Sequence, residues 1–183
     1  IDASINGDTI IVSPGTYFEA LNIEAKTFVL ASKFLLTNDT SFISSTIIDG
    51  NNNGTVIRIT HDYYSMIPIT SPQIIGFNIS NGSRSLLNGW LEGDGAGIYI
   101  EGTVNPIIKN CDINNNNATM GAGICIIGDI YTNNSQMCQP VLENLIIRDN
   151  NGSYSGLYDG GGIYYTSHCY PTFNNIDFIN NTA

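Results

Sequence analysis

The second half of the chain repeats one pattern of apolar and polar positions four times. The phrases begin at prolines that lie 34, 34 and 31 residues apart, namely Pro72, Pro106, Pro140 and Pro171. This period is typical of stacked repeats and not of a globular α/β domain. Apolar residues occupy the second, fifth and seventh positions after each proline, and the last two share one face of a strand. The pattern predicts a solenoid whose core is built from these three columns.

A second phrase between the prolines predicts another strand in each repeat. It combines glycines with alternating apolar residues and occurs at 95–100, 121–126 and 160–165. The predicted inward side chains are Ile98, Ile124 and Ile163, and the predicted outward ones are Tyr99, Cys125 and Tyr164. No helical period lies between these runs. Strands joined by bends in every repeat predict an all-β fold, a parallel β-helix.

Two polar columns mark the bends. The fourth position after each proline reads Gly76, Asn110, Asn144 and Asn175, and the ninth reads Asn81, Asn115, Asp149 and Asn180. Equivalent residues of neighbouring parallel strands lie about 4.8 Å apart, so stacked asparagines can bond amide to amide. Asparagine also tolerates left-handed backbone, and turn chemistry alone is the other interpretation. Both interpretations predict a corner at the same place.

The N-terminal part predicts less regular repeats of one domain, 1–183, in which 1–71 is irregular and 72–183 regular. Strand-forming runs lie at 9–12, 21–23, 27–30, 46–50 and 55–59. The run 14–17 has the proline and glycine of a turn. The stretch 32–45 lacks the repeated phrase and is expected to be a loop on the wall of the solenoid.

These phrases resemble the repeats of a known group of proteins. The run Gly160-Gly-Gly-Ile163, followed by Pro171-Thr172 and an asparagine-rich end, is similar to right-handed parallel β-helix proteins of the pectate-lyase-like superfamily, as found in large secreted bacterial surface proteins. The run 7–17 resembles the first coil of that superfamily, which follows a short capping helix, so residues 1–4 are expected to end such a helix. The resemblance implies a right-handed parallel β-helix over nearly the whole chain. It implies no single function, because lyases, hydrolases, esterases and adhesins share this scaffold.

Charge and composition narrow the function classes. Six Lys plus Arg stand against sixteen Asp plus Glu, a net charge of −10, and such a surface repels nucleic-acid phosphates and anionic membranes. No apolar run approaches the roughly 20 residues that span a bilayer. Nucleic-acid binding and membrane insertion are therefore not expected. The last core phrase has no cap, and we expect a fragment of a longer parent chain with adjoining domains.

Connection lengths vary at one corner and predict a notch. Long insertions at 83–94 and 151–159 flank a short connection at 117–120. The glycan-binding candidates on the insertions are Trp90, Tyr154, Tyr158, Asp94, Asp159 and Arg84. Aromatic faces beside carboxylates suit a sugar, whose C–H face packs on the ring while its hydroxyls bond the polar groups. The alternative is that these aromatics pack on the wall as satellite cores.

Cysteine positions predict one disulfide. Cys138 and Cys169 each stand two residues before a proline of the repeat, so their Cα atoms should lie about 5 Å apart, within disulfide range. Cys111 lies in a core column and is expected to be a buried thiol, whereas Cys125 lies in the outward row and is a candidate free thiol. The four lack the paired spacing of zinc sites. A disulfide implies an extracellular or cell-surface setting.

Catalytic signals are weak. Lyases of the superfamily need a lysine or arginine base, usually with calcium, and its hydrolases use adjacent aspartates. The chain has no Asp-Asp pair and no Gly-His-Gly. Asp112, Arg148 and Asp177 are predicted to share one outward patch, either as a carboxylate–cation constellation or as a solvated ladder. Lys109 and Glu143 are predicted to form a surface pair.

Neither histidines nor acids predict a metal or cofactor site. His61 and His168 are isolated and are expected to be surface or turn residues. Asp94 and Asp159 are predicted to lie two repeats apart, roughly 10 Å, which is too far for a shared ion. No metal and no cofactor are assigned.

Two functions of different class remain. The first is a non-catalytic secreted or cell-surface module, an adhesive or glycan-binding display rod whose partner is a polysaccharide or surface glycan. The second is a polysaccharide lyase or glycoside hydrolase whose site is built across coils or lies outside this segment. The lack of local catalytic phrases favours the first. A purely architectural spacer is a third interpretation that the sequence does not separate from the first.

Overall fold

The computed structural model describes residues 1–61, 70–84, 95–128, 138–152, 160–166 and 168–183. Over these ranges the chain is all-β, with eighteen strands, two short helices and large parallel sheets. No helix in the described ranges is long and apolar enough to cross a membrane.

The elements have the following bounds. The strands are β1 (Thr9–Val12), β2 (Gly15–Phe18), β3 (Leu21–Glu24), β4 (Val29–Ser32), β5 (Thr46–Asp49), β6 (Ile57–Thr60), β7 (Gln73–Ile75), β8 (Asn78–Ser80), β9 (Ser83–Arg84), β10 (Ile98–Glu101), β11 (Ile107–Lys109), β12 (Asp112–Asn114), β13 (Asn117–Ala118), β14 (Ile124–Ile127), β15 (Val141–Arg148), β16 (Asn151–Gly152), β17 (Ile163–Tyr165) and β18 (Thr172–Ile179). Helices α1 (Phe34–Thr37) and α2 (Ser41–Ser45) lie between β4 and β5.

Three parallel sheets surround the core. The wall sheet has ten strands in the order β1-β4-β7-β11-β15-β12-β8-β5-β2, with β18 also paired to β15. The second sheet has the order β17-β14-β10-β6-β3, and the corner sheet has the order β16-β13-β9. From β7 onward, successive segments enter the wall sheet, the corner sheet and then the second sheet, and the chain returns in register beside its previous pass. This topology is compatible with a β-helix or solenoid.

The predicted apolar columns are confirmed as the core. The buried columns are Ile74-Ile108-Leu142, Phe77-Cys111-Leu145 and Ile79-Ile113-Ile147. Each side chain packs on its equivalents in neighbouring repeats, and burial of an Ile or Leu side chain contributes about 1.5–3 kcal/mol. Burial also raises the pKa of the Cys111 thiol to about 11. In the last repeat the columns end in Phe173 and Phe178, which are exposed.

The row that points away from this core is nevertheless covered. Tyr99 is 9% exposed and Cys125 is fully buried. The glycine phrase explains the burial, because a Cβ on Gly121 would lie 2.8 Å from the Cβ of Cys125. Gly121 also has a φ of +56°, which favours glycine. The glycine backbone therefore lies against the outer side chains.

Both predicted polar columns lie at bends with left-handed backbone. The residues of the two columns, Gly76, Asn110, Asn144, Asn175, Asn81, Asn115, Asp149 and Asn180, all have φ between +51° and +80°. Turn chemistry is thus confirmed at both positions. Amide-to-amide bonding is also present, since Asn175 Nδ2 donates to Asn144 Oδ1 at 2.9 Å.

A buried amide ladder lies one residue after the second polar column, where the sequence analysis did not place it. Asn116 and Asn150 are each 1% exposed. Asn150 Oδ1 accepts from the backbone N–H of Asn116 at 3.1 Å and from Asn116 Nδ2 at 3.0 Å. Asn150 Nδ2 donates to Asn181 Oδ1 and to the Ile113 carbonyl, both at 2.9 Å. The Asn150 amide therefore ties its bend to the repeats on both sides.

The N-terminal part differs from the prediction at three places. The run 14–17, predicted as a turn, belongs mainly to β2, because pairing with β5 holds it extended. The stretch 32–45, predicted as a loop, contains α1 and α2, and Asp39 Oδ1 accepts from the Ser41 N–H at the start of α2. Residues 1–4 include a turn and no helix.

Removal of a ladder amide should destabilise the fold. Asn150→Ala deletes four side-chain hydrogen bonds and leaves the buried N–H and Nδ2 of Asn116 without the Asn150 acceptor. Each such group costs about 1–3 kcal/mol, so we expect the free energy of unfolding to fall by roughly 3 kcal/mol in urea denaturation. The control is Asn151→Ala, which removes an exposed amide and should cost less than about 1 kcal/mol. Equal losses would contradict a special role for the buried ladder.

Candidate functional site

The corner sheet is where the predicted notch would be anchored. Strand β9 ends at Arg84 and β16 ends at Gly152, and Ala118 of β13 is the register partner of both. Neighbouring strands lie about 4.8 Å apart, so these two ends lie roughly 10 Å apart. Between them the chain passes from β13 directly to the glycine phrase, where the Met120 carbonyl accepts from the Gly95 N–H at 2.9 Å. The two long insertions thus begin on either side of a short connection.

Most of the glycan-binding candidates lie outside the described residues. These are Trp90, Asp94, Tyr154, Tyr158 and Asp159. Arg84 is described, and it is the half-buried last residue of β9 at the base of the first insertion. The structure therefore shows where the insertions start, and the glycan notch and the satellite cores both stay predictions.

A cluster of charged side chains lies on the outer face of the wall sheet. Arg148 Nε donates to the two carboxylate oxygens of Asp112 at 3.1 and 3.2 Å, and its Nη2 donates to Asp112 Oδ2 at 3.0 Å. Its Nη1 donates to Asp149 at 3.0 Å. We call Asp112, Arg148 and Asp149 the wall cluster. Hydrogen bonding to Asp112 raises the pKa of Arg148, so the guanidinium stays charged.

Amides extend the wall cluster along the sheet. Asn114 Nδ2 donates to Asp112 Oδ1 at 2.9 Å and to Asn78 Oδ1 at 3.1 Å. Asn115 Nδ2 donates in turn to Asn114 Oδ1 at 2.8 Å. The polar groups of this face bond chiefly to one another, which orients them and compensates their charge. Chemically the face can offer further hydrogen bonds to a polar ligand.

Of the predicted outward constellation, the structure joins Asp112 and Arg148 but not Asp177. The register places Ile146 between Asp112 and Asp177, so the two acids lie two strands apart, roughly 10 Å. Asp149 takes the third place instead. Asp149 directly follows Arg148 in the sequence, and this adjacency was the available signal. Comparison of residues two positions apart on one strand face does not detect it.

Two further ion pairs link neighbouring strands. Lys109 Nζ lies 2.8 Å from Glu143 Oε2, as predicted. Arg58 lies 2.8 Å from Glu101, and its guanidinium stacks 4.7 Å from the centre of the Tyr99 ring. Both pairs are partly exposed, so each contributes at most about 1 kcal/mol. They stabilise the sheets rather than form a reactive site.

Cys138 and Cys169 lie side by side in two successive repeats. They are partners in a parallel β-bridge, and both side chains are buried. Both carry free thiols in this structure. The hydrogen bond between the two thiols, together with burial, raises the pKa of Cys138. Their adjacency agrees with the sequence, and the disulfide itself stays a prediction.

Metal-binding geometry is absent from the described residues, which contain no group of three or more His, Cys, Asp or Glu side chains that could hold an ion. His168 is exposed at a turn with φ +66°, as expected. His61 was expected at the surface but is only 6% exposed. The backbone N–H of His61 donates to the Glu101 carbonyl at 3.3 Å, and this bond extends the second sheet to His61.

Comparison with protein-family models finds no matching family. Comparisons with curated proteins and with solved structures find no significant match either. The resemblance to the pectate-lyase-like superfamily therefore depends on the repeated phrases and on the parallel sheets alone.

Loss of the wall-cluster cation should have a small, salt-dependent effect. Arg148→Ala leaves Asp112 and Asp149 without their counter-charge, and the Arg148 side chain is 35% exposed. We expect a loss of roughly 1 kcal/mol in the free energy of unfolding at low salt, shrinking in about 1 M NaCl. Urea denaturation at both salt concentrations measures it.

The matched control for Arg148→Ala is Lys109→Ala, which breaks a single ion pair. It should cost less than half as much, because only one carboxylate loses its partner. A salt-independent loss in Arg148→Ala, or equal losses in both variants, would show that the wall cluster does not act through its charges.

Proposed function

We propose that the chain is a right-handed parallel β-helix of the pectate-lyase-like type, and that it acts as a non-catalytic secreted or cell-surface module displaying glycan-binding loops. The observation that carries this proposal is the corner sheet, in which β9 and β16 pair with opposite edges of β13. The two long insertions follow β9 and β16 directly. Rigid strands that hold loop bases at a fixed spacing are a common way to build a binding site.

The buried ladder supports the same proposal because it stiffens this corner. Asn116 and Asn150 immediately precede β13 and β16. Asn116 Oδ1 accepts from the backbone N–H of Gly82 at 2.8 Å, one residue before β9. All three corner strands therefore begin beside a ladder hydrogen bond. The loops can vary in sequence while the strands beneath them keep their spacing.

The side chains on the insertions suit a sugar. They include the aromatic residues Trp90, Tyr154 and Tyr158, the acids Asp94 and Asp159, and Arg84 at a loop base. An aromatic face packs against the C–H face of a sugar ring, and the polar groups bond its hydroxyls. A polysaccharide or surface glycan is the partner that this combination recognises.

Composition supports an extracellular or cell-surface location. The chain carries a net charge of −10 with only 12% charged residues, and 24 asparagines supply much of its polarity. A disulfide between Cys138 and Cys169 belongs in an oxidising compartment. Nucleic acid and membrane lipid are not part of this proposal.

A glycan-array screen tests the proposal, with the chain compared to Trp90→Ala and Tyr170→Ala. We expect the chain and Tyr170→Ala to bind alike, and Trp90→Ala to bind at least about fivefold more weakly, because a stacked aromatic contributes about 1 kcal/mol or more. Tyr170 is the control because it is an aromatic residue, 57% exposed, outside the corner sheet. Binding by none of the three, or equal binding by all, would overturn the glycan proposal.

The alternative is a polysaccharide lyase or glycoside hydrolase with its site built across coils. The wall cluster favours testing it, since the cluster joins Asp112 and Arg148 from different repeats. A lyase base must be deprotonated before it can accept a proton, however, and the raised pKa of Arg148 keeps its guanidinium protonated. This argument supports the non-catalytic proposal over the alternative.

Incubation with polyuronates and neutral polysaccharides, with and without calcium, separates the two functions. We expect no unsaturated product by ultraviolet absorbance and no new reducing ends. Cleavage that disappears in Asp112→Asn would overturn the non-catalytic proposal and locate the chemistry at the wall cluster. Cleavage retained in that variant would also overturn it and direct attention to another part of the chain.

A further inference from the structure

Cys138 and Cys169 join the last repeat to the one before it, and neither the corner sheet nor the wall cluster includes them. We propose that the pair is an oxidisable latch: a reversible Cys138–Cys169 disulfide that fastens β18 and the chain around it to the preceding repeat. This inference does not depend on glycan binding.

The backbone already holds the Cα atoms of the two residues at a separation that permits a disulfide. Cys138 N–H donates to the His168 carbonyl at 3.3 Å, and Tyr170 N–H donates to the Cys138 carbonyl at 2.8 Å. Cα atoms of parallel partners lie about 4.8 Å apart, inside the 4.4–6.8 Å range that a disulfide needs. Both side chains belong to the same buried core, so they point to the same side. The bond can form without moving the strands.

Independent contacts fix the backbone on both sides of the pair. Gln139 N–H donates to Asn105 Oδ1 at 2.7 Å, which ties the residue after Cys138 to the previous repeat. His168 has left-handed backbone with φ +66°, a conformation that sets the direction of Cys169. The site is therefore formed before oxidation and does not need the disulfide to assemble.

Selectivity for this pair follows from the register. Cys125 has Tyr99 and Tyr164 as its partners on the two neighbouring strands. Cys111 lies between Phe77 and Leu145 in its column, so neither thiol faces another cysteine. Cys138 and Cys169 alone among the four are partners in the register.

Glutathione disulfide is a sufficient oxidant. Cys169 loses its proton to water, attacks glutathione disulfide as thiolate, forms a mixed disulfide and releases one glutathione thiolate. Cys138 then loses its proton to water, and its thiolate attacks the Cys169 sulfur and releases the second glutathione thiolate. Two protein thiols and one glutathione disulfide thus yield one protein disulfide and two glutathione thiols. Since the pair is 1% and 5% exposed, the reagent enters when the backbone around the two residues opens locally.

The disulfide should restrict that opening. It closes about 30 residues of chain, and β18 begins three residues after Cys169. Closure of such a loop removes conformational freedom from the unfolded chain and holds the start of β18 in place. Oxidation therefore stabilises the last repeat more than any other part of the chain.

The test is a titration of the whole chain with mixtures of reduced and oxidised glutathione, followed by alkylation and mass spectrometry. We expect the loss of two thiol hydrogens and a joined pair of peptides containing Cys138 and Cys169. The oxidised chain should unfold about 10 °C higher, and amides of β18 should exchange with deuterium at least about tenfold more slowly. The reduced and oxidised forms of one protein are compared, so no substitution is needed.

Variants check the assignment. Cys169→Ser should abolish the glutathione response, and a double variant, Cys111→Ser with Cys125→Ser, should retain it. Persistent thiols at Cys138 and Cys169 in excess oxidised glutathione, joining of a different pair, or a disulfide that changes neither unfolding nor exchange would each overturn the latch. Glycan-array binding by the same oxidised and reduced samples separates a failure of this proposal from a failure of the proposed function.

Discussion

The amide of Asn150 contacts the repeats before and after it, and the sharp bend of the chain depends on this contact. Asp149 turns the backbone with left-handed φ, and the next amide lies inside the bend. The Asn116 N–H would otherwise lack the Asn150 Oδ1 acceptor in a buried place, which proteins rarely tolerate. Parallel register allows an amide to lie inside the bend of each successive repeat, because it stacks every such amide on the next one. The ladder therefore allows the chain to turn while water stays excluded from the core.

The first regular repeat shows how tightly this corner is packed. Its ladder position is occupied by Gly82, whose N–H donates to Asn116 Oδ1. A Cβ at Gly82 would lie only 2.1 Å from the Ala96 carbonyl oxygen, so no larger residue fits. The backbone of the glycine phrase thus lies directly against the start of β9. Because the corner is closed by backbone contacts, differences in insertion length above it need not disturb the core.

The sequence predicted the parts of the fold that repeat. The columns of Ile74, Phe77 and Ile79 were identified because each recurs at a fixed distance from a proline, and burial agrees with all three. The buried ladder was missed for two reasons. Its position carries glycine in the first repeat and asparagine only in the later ones, and the neighbouring position carries asparagine as well. Turn residues and ladder residues have the same composition, whereas in the structure Asn115 is exposed with left-handed backbone and Asn116 is buried without it.

Features that do not repeat were predicted less well. The stretch 32–45 forms α1 and α2 through local contacts such as the hydrogen bond from the Ser41 N–H to Asp39 Oδ1, which a comparison of equivalent repeat positions does not detect. The wall cluster was predicted only in part, because Asp149 reaches Arg148 along the chain and not across strands. Burial of His61 depends on a backbone bond to another repeat, and nothing in its neighbouring sequence indicates that bond. Local contacts decided the first two cases, and pairing with another repeat decided the third.

If the chain binds glycans as proposed, its arrangement of positive charge favours some glycans over others. Of the six basic residues, Arg58, Lys109 and Arg148 pair with acids on neighbouring strands, and Lys26 donates to the backbone carbonyls of Ile1 and Asp2. Most of the basic side chains are thus engaged in holding repeats together. A polyuronate would meet a surface with a net charge of −10 and would be repelled. A neutral glycan meets no such barrier, since aromatic stacking and bonds to hydroxyls need no opposite charge. Neutral sugars are therefore the ligands that the charge of this protein favours.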